Sequence, residues 1–450
     1  MKKPGKKAQW MVAAVLAATT AWSATNDAEQ VEQLVKVGAD LRLRYDVTQG
    51  LPNSKYGEDP HSDYARVRIR PWLDIGPENW GLYVRLADEF RYYRRPESKD
   101  RKQRFPDVAF IDNLYWRQLG LFDGLLDVRV GRQDMAFGSK RIISDGTGGD
   151  GSRSAYFDAV RLTAHFDDHR TLDAFAMLCA HDDWLPTLGK EHENGKKAHH
   201  YDMSGYKQDE YGAGLYYQDR SNADFGWDLY YVAKQEVRGQ QAKYRKEGRN
   251  VQTHTVGFRL LPKFSDTFSG ELEGAAQAGN NDLLAAQGYA GLTYAPKMSA
   301  KPTFTGAIWG LTGDSDGDRG EHAWHAVFNR ETGMGESIAP MYNKYDYTNL
   351  LYPHLAAGCH TGDAAKLRVQ LGPLFAPVRE RMSSGDTAET YRGFYAQLRY
   401  EIKLGKLFAS DLLHGGTLAF QGEWFQKGDY FEEDDRNPAV FGRVQLGWKF

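Results

Sequence analysis

The chain has 450 residues, a formal net charge of −3, 26% charged and 13% aromatic residues, and a mean hydropathy of −0.63. Beyond residue 25 no stretch approaches the roughly 18 consecutive apolar residues of a spanning helix, which excludes a bundle of membrane helices. The 22 Phe, 26 Tyr and 11 Trp exclude global disorder, and the mild acidity offers nucleic acid no basic surface.

Residues 1–23 read as a secretory signal. Lys2, Lys3, Lys6 and Lys7 form a basic start, Trp10 to Ala18 an apolar run, and Ala21-Trp22-Ser23 supplies small residues at the −3 and −1 positions of a cleavage site. Residues 24–36 are expected to form a short periplasmic segment, and 37–450 a single domain. Cys179 and Cys359 make no disulfide framework and no metal-binding spacing, so both are read as packing residues.

From residue 37 onward the pattern is period two, the mark of a half-buried strand. In 39–47, Ala39, Leu41, Leu43, Tyr45 and Val47 face one way and Asp40, Arg42, Arg44 and Asp46 the other. In 64–73, Ala65, Val67, Ile69 and Leu73 oppose Tyr64, Arg66, Arg68, Arg70 and Trp72. Near the far end, Phe394, Ala396, Leu398 and Tyr400 oppose Tyr395, Gln397, Arg399 and Glu401, and Val440, Val444, Leu446 and Trp448 oppose Arg443, Gln445 and Lys449. About 18 such segments follow one another, from 37–47 to 437–450. The alternation is least regular at 107–118, 171–181 and 346–359.

The connections between segments alternate in length. Long ones include 48–62, 93–106, 134–154, 182–207, 314–345 and 376–390. Short ones include Ile75 to Asn79, Asp167 to Arg170 and Pro262 to Ser265. Such alternation predicts an all-β transmembrane antiparallel barrel, with long extracellular loops and short periplasmic turns. Only helices and closed barrels satisfy every backbone group in lipid. Two connections depart from the rule: the short 278–284 on the long side, and 404–415, long enough for a periplasmic flap. The terminal Phe450, with Trp448 two residues before it, resembles the aromatic ending of bacterial outer-membrane proteins.

At this strand number the interior is wide enough for water, so the charged faces are expected to line a pore. Arg42, Arg44, Arg66, Arg68, Arg70, Arg85 and Arg91 fall on the non-lipid face of the first three segments, and Arg129, Arg161, Arg259, Arg399 and Arg443 continue the series. Arginine stays charged at any relevant pH and binds carboxylates through a planar fork. Rings of such residues make anion pores. Asp40, Asp46, Asp74, Glu89, Glu271, Glu273, Glu401 and Glu423 share this face and would keep an anion from sticking. Tyr64, Trp72 and Tyr395 are candidates for stacking on sugar rings.

Gly131-Arg132-Gln133, Phe137-Gly138, Arg141 and Phe157-Asp158-Ala159-Val160-Arg161 together resemble the GRQ…G…R…FDGVR pattern of the alginate-export family of outer-membrane barrels. Leu41-Arg42-Leu43-Arg44-Tyr45, Arg66-Val67-Arg68-Ile69-Arg70 and Thr312-Gly313-Asp314 are similar to further strands of that family. The resemblance implies an 18-stranded barrel with an arginine-rich constriction that passes an anionic exopolysaccharide outward. It carries the constriction role to Arg129, Arg132, Arg141 and Arg161. Ala159 stands where the family usually has Gly. Residues 134–154, rich in Gly, are a candidate constriction loop.

Other motifs fail. Asp314-x-Asp316-x-Asp318 has Arg319 and His325 where a calcium loop needs Gly and Glu. His199-His200 and His322/His325 lack a third ligand at metal-binding spacing. No nucleophile elbow, P-loop or dinucleotide fingerprint occurs. The expectation is a channel rather than an enzyme, without metal or cofactor, in the outer membrane of a Gram-negative-type bacterium. Its expected partners are an anionic polysaccharide or acidic oligosaccharide, outer-membrane lipid and periplasmic export proteins. Uptake of acidic oligosaccharides or small carboxylates is the alternative direction. A secreted all-β carbohydrate-binding protein is the alternative class.

Overall fold

The computed structural model describes residues 34–51, 62–94, 108–144, 157–180, 183–186, 188–189, 209–237, 250–280, 282–315, 321–329, 334–338, 347–379, 387–431 and 437–450. The predicted signal, most of 24–36, His199, His200, Asp316 and Asp318 lie outside the described residues.

The strands are β1 (Val35–Gln49), β2 (Ser62–Ile75), β3 (Trp80–Tyr93), β4 (Val108–Gly120), β5 (Leu126–Gln133), β6 (Phe157–His165), β7 (Arg170–Cys179), β8 (Leu188–Gly189), β9 (Glu210–Asp219) and β10 (Phe225–Glu236). They continue with β11 (Val251–Pro262), β12 (Phe268–Gly279), β13 (Leu284–Tyr294), β14 (Thr303–Leu311), β15 (Leu350–His360), β16 (Ala365–Phe375), β17 (Tyr391–Lys403), β18 (Gly416–Lys427) and β19 (Ala439–Lys449). Each wall strand pairs antiparallel with its neighbour, β7 passing directly to β9. The last strand returns to the first, with Asp40 opposite Lys449 and Gln49 opposite Val440. The Phe450 amide extends that seam by donating to the Ala39 carbonyl at 2.9 Å. Among the described strands only β8 stands apart, pairing with Val108 and Ala109 at the start of β4. The remaining eighteen strands form a closed barrel.

The wall strands fall within four residues of the segments expected from parity. The largest gap is at 346–359, where pairing begins only at Leu350. β1 starts at Val35, inside the segment expected to precede the barrel. The residues confirm the parity in their exposure. Leu43, Tyr45 and Val47 are 40%, 38% and 45% exposed, whereas Arg42, Arg44 and Asp46 between them are 5%, 3% and 0% exposed. A water-soluble protein would reverse this assignment; a barrel in lipid requires it. Exposed aromatics mark both rims of the outer surface. Trp80, Trp116, Phe225, Phe268, Tyr294 and Phe304 lie toward the short turns, and Tyr45, Tyr92, Tyr211 and Trp424 toward the long loops. Aromatic rings of this kind settle at membrane–water interfaces.

The short-turn rim is built by local capping. In the turn before β7, Asp167 accepts the His169 and Arg170 amides at 2.9 and 2.8 Å and pairs with the Arg170 side chain. The Arg170 hydrogen bond and the His169 amide hold this carboxyl below its ordinary range. The 404–415 connection forms a short helix, Leu404–Phe408, and a 3-10 turn, Asp411–Leu413. The short connection on the long side is also present, a tight turn between β12 and β13.

Candidate functional site: the inner wall and the segments folded against it

The interior is not the uniformly polar space that strand number suggested. Toward the long-loop end, the barrel holds an apolar cluster that joins Phe175, Tyr216, Tyr230, Trp309 and Tyr352 of the wall to Met135, Phe137, Ile143, Trp324, Phe328 and Ile338 from between the strands. Among the described residues, the connecting segments 134–144, 321–329 and 334–338 therefore fold inward.

The Gly131-Arg132-Gln133 motif starts the first of them. Gly131 has φ +124°, and a Cβ there would overlap the Leu114 carbonyl oxygen across the strand pair. Pairing runs on without a shift, so Arg132 shares the face of Val130 and Asp158 and Gln133 the opposite face of Phe157 and Ala159, and both are buried. Arg132 grips Asp158 through two bonds of 2.8 and 3.1 Å, Asp183 through 2.8 and 3.0 Å, and the Ile111 carbonyl at 3.0 Å. The Gln133 amide donates to the Ala159 carbonyl at 3.1 Å. Phe137 then lies between Phe175 and Tyr216, at centroid distances of 5.4 and 4.9 Å. Gly138, φ +52°, passes so close to the Tyr216 hydroxyl that a Cβ would collide with it.

Arg141 ends this crossing. It pairs with Glu271 and Glu273 of β12 at 2.8 Å each, and its guanidinium lies 3.5 Å from the centre of the Tyr289 ring. Ser139 also bonds Glu273, which accepts from Tyr230 at 3.1 Å. The second inward segment joins the first through a parallel bridge between Ile143 and Phe328. It is anchored by Gln277, which accepts the His325 amide at 2.9 Å and donates to the His325 carbonyl at 2.7 Å. Lys234, held by Glu210 and Glu236, donates to the Ala326 carbonyl at 3.0 Å. In the third segment the Glu423 carboxylate of β18 accepts the Glu336 and Ser337 amides at 3.1 and 2.8 Å. A side chain at Gly335 would collide with that carboxylate.

On β1, β2 and β3 the inner face is charged. Arg44 stands opposite Arg66, Arg66 opposite Arg91, and Arg42 opposite Arg68. Acids interleave with these like charges. Glu89 pairs with Arg66 and, at 3.5 Å, with Arg42. Asp46 lies 2.9 Å from Arg44 and 2.7 Å from Arg443. Arg70 reaches Asp40 at 3.1 Å and Asp112 at 3.6 Å, while Arg85 pairs with Asp112 and, at 2.9 Å, with Asp134. Arg399 pairs with Glu401 at 3.3 Å.

The sequence-derived arginines thus divide into two groups. Arg42, Arg44, Arg66, Arg68, Arg70, Arg399 and Arg443 share one contiguous stretch of wall, β17–β18–β19–β1–β2. Arg141 and Arg161 lie with the inward segment, Arg161 bonding Asp173 at 2.7 Å beneath Phe137, while Arg132 shares the face of Val130 with Asp158. Arg85 links the groups through Asp134, and Arg129 lies 5.8 Å from the Tyr115 ring centre. Trp72 heads an inner aromatic row with Tyr83 and Tyr115, whereas Tyr395 is fully buried. Parity at 226–236 carried a signal for Asp228 that the sequence reading passed over, whereas Asp112 sits where the β3–β4 register shifts; both are completely buried acid partners. Among the described residues, no three His, Cys, Asp or Glu side chains converge as a metal site.

The family model described as alginate export matches residues 33–305, more than half of the chain. No curated protein matches. Solved structures share the fold at low identity. Pseudomonas aeruginosa OccK7 (OpdD) is 11% identical with a TM-score of 0.59, covering 92% of this chain and 98% of that one. Pseudomonas aeruginosa OpdL is 11% identical at 0.57 with the same coverage. Pseudomonas aeruginosa OpdK, solved with vanillate, is 9% identical at 0.57, again over 92% and 98%. Family and fold are those of outer-membrane channels rather than enzymes. With its closed barrel, outward apolar face and matched family model, the chain belongs to the alginate export family of outer-membrane β-barrels.

Proposed function

We infer that the protein is a passive, anion-selective channel that exports a uronate-type, alginate-like polysaccharide. One observation carries this reading: the placement of arginine directly opposite arginine on neighbouring strands, at Arg91–Arg66–Arg44 and Arg68–Arg42. Like charges facing each other across a sheet are destabilising, and neutral polar residues would keep a lumen wet at lower cost. Concentrated guanidinium groups gain their value from an anionic occupant. The interleaved carboxylates suit transport, because they compete with the occupant for each guanidinium and prevent any one from holding it.

The inward segments narrow the passage, and the arginine stretch of wall borders the third of them. A flexible polyanion could then slide along that stretch with its carboxylates passing between guanidinium groups. A passive pore has no intrinsic direction, so the export sense comes from the family. Channel measurements in planar bilayers test the ionic part. Under a KCl gradient the wild type is expected to reverse on the anion-selective side, and a double Arg44→Gln, Arg66→Gln variant to lose part of that selectivity. A cation-selective wild type, or selectivity indifferent to the double change, would refute the reading.

A further inference from the structure

Five adjacent strands leave a recess of about 80 Å³ in the arginine stretch. Arg42, Arg68, Arg399 and Arg443 surround it, Gln421 and Gln445 complete its rim, and Ala419 forms part of its floor. Register explains the space. Ala419 lies opposite Gln445, and Arg42 opposite Gly447, so small residues sit where long ones would fill the wall. Among the described residues, no carboxylate lines the recess. The acids that hold its arginines approach from elsewhere: Glu89 toward Arg42, Glu401 toward Arg399, Asp46 toward Arg443. Four guanidinium groups and two amides therefore converge on a space large enough for a carboxylate and little more, with the planar donors that such a group accepts bidentately.

The recess also touches the anchor of the third inward segment. Arg443 contacts Glu336 at 3.3 Å, and Gln421 donates to Glu423 at 2.5 Å, the same carboxylate that accepts the Glu336 and Ser337 amides. Deepening the anion-channel reading, on which it rests, we propose that this recess is a docking subsite for one uronate carboxylate, and that its occupant exchanges with Glu336 on Arg443. A docked carboxylate takes the Arg443 contact from Glu336 and draws Gln421 toward itself. Segment 334–338 then retains only part of its hold on β18. Substrate in the passage thereby loosens a segment that narrows the passage.

The test is block of KCl current by a trimer of galacturonic acid, using the full-length channel in a planar bilayer, with folding of each variant checked by heat-modifiable migration. Arg68→Gln and Arg399→Gln are each expected to raise the half-blocking concentration about tenfold, as for loss of one charge-assisted contact. Glu336→Gln is expected to lower it severalfold by removing the competitor. An anion-selective channel whose block is absent, or ignores Arg68→Gln and Arg399→Gln, would overturn the subsite while leaving the channel reading intact. Unchanged block in Glu336→Gln would overturn the exchange on Arg443. A cation-selective wild type would overturn the channel reading itself.

Discussion

Gly131 lets the strand carrying Gly-Arg-Gln pass close to the Leu114 carbonyl at a φ of +124°. The strand sends Arg132 and Gln133 to opposite faces. Arg132 clamps Asp158 and Asp183 on the face of Val130, and Gln133 bonds the Ala159 carbonyl on the other. An alanine there must either leave that conformation or press against Leu114. Gly131→Ala is expected to destabilise the folded barrel by about 1–3 kcal/mol, read as a lower urea midpoint in liposomes. An unchanged midpoint would show that the backbone tolerates another path. The motif was visible in the sequence, but its use was not. The resemblance gives Arg132 a constriction role, whereas its four contacts to two aspartates lie on the face of Val130 and clamp β5 to β6 and to Asp183.

The inward segments show where sequence reading stops. Alternation announces a strand because each residue meets one of two environments. A segment packed inside a barrel meets neighbours from many strands and carries no period. Loop length makes 314–345 a long external connection with an acidic motif at its start, although Trp324, Phe328 and Ile338 are buried in the apolar cluster. Nothing local distinguishes those residues from ordinary loop hydrophobics; their partners lie on β10, β12 and β18. Segment 134–144 was more legible, because its glycines and Arg141 belong to a recognisable pattern. Arg141 joins it to β12 through a buried pair whose disruption costs about 3–5 kcal/mol in typical proteins. Arg141→Gln is therefore expected to loosen the segment and give larger, noisier single-channel currents. Currents indistinguishable from wild type would mean that the Phe137 stack and the Ile143 bridge suffice to hold it.

For the whole molecule, the arithmetic of charge and hydropathy misleads until parity is considered. A chain with 26% charged residues suits a membrane because alternate residues never meet lipid. Parity alone located the wall strands to within four residues, and the alternating connections assigned their two ends. It could not reveal β8, or the acids that neutralise each arginine across strands. Register decides which charges touch, and register depends on the whole closed sheet. The surplus of guanidinium on one stretch of wall is the feature from which function was inferred, and permeability to a polyanion tests it most directly. With KCl on one side of a planar bilayer and the potassium salt of oligogalacturonate on the other, the account predicts a reversal potential set by chloride and uronate permeation. A potential at the potassium equilibrium value, with uronate excluded, would contradict it.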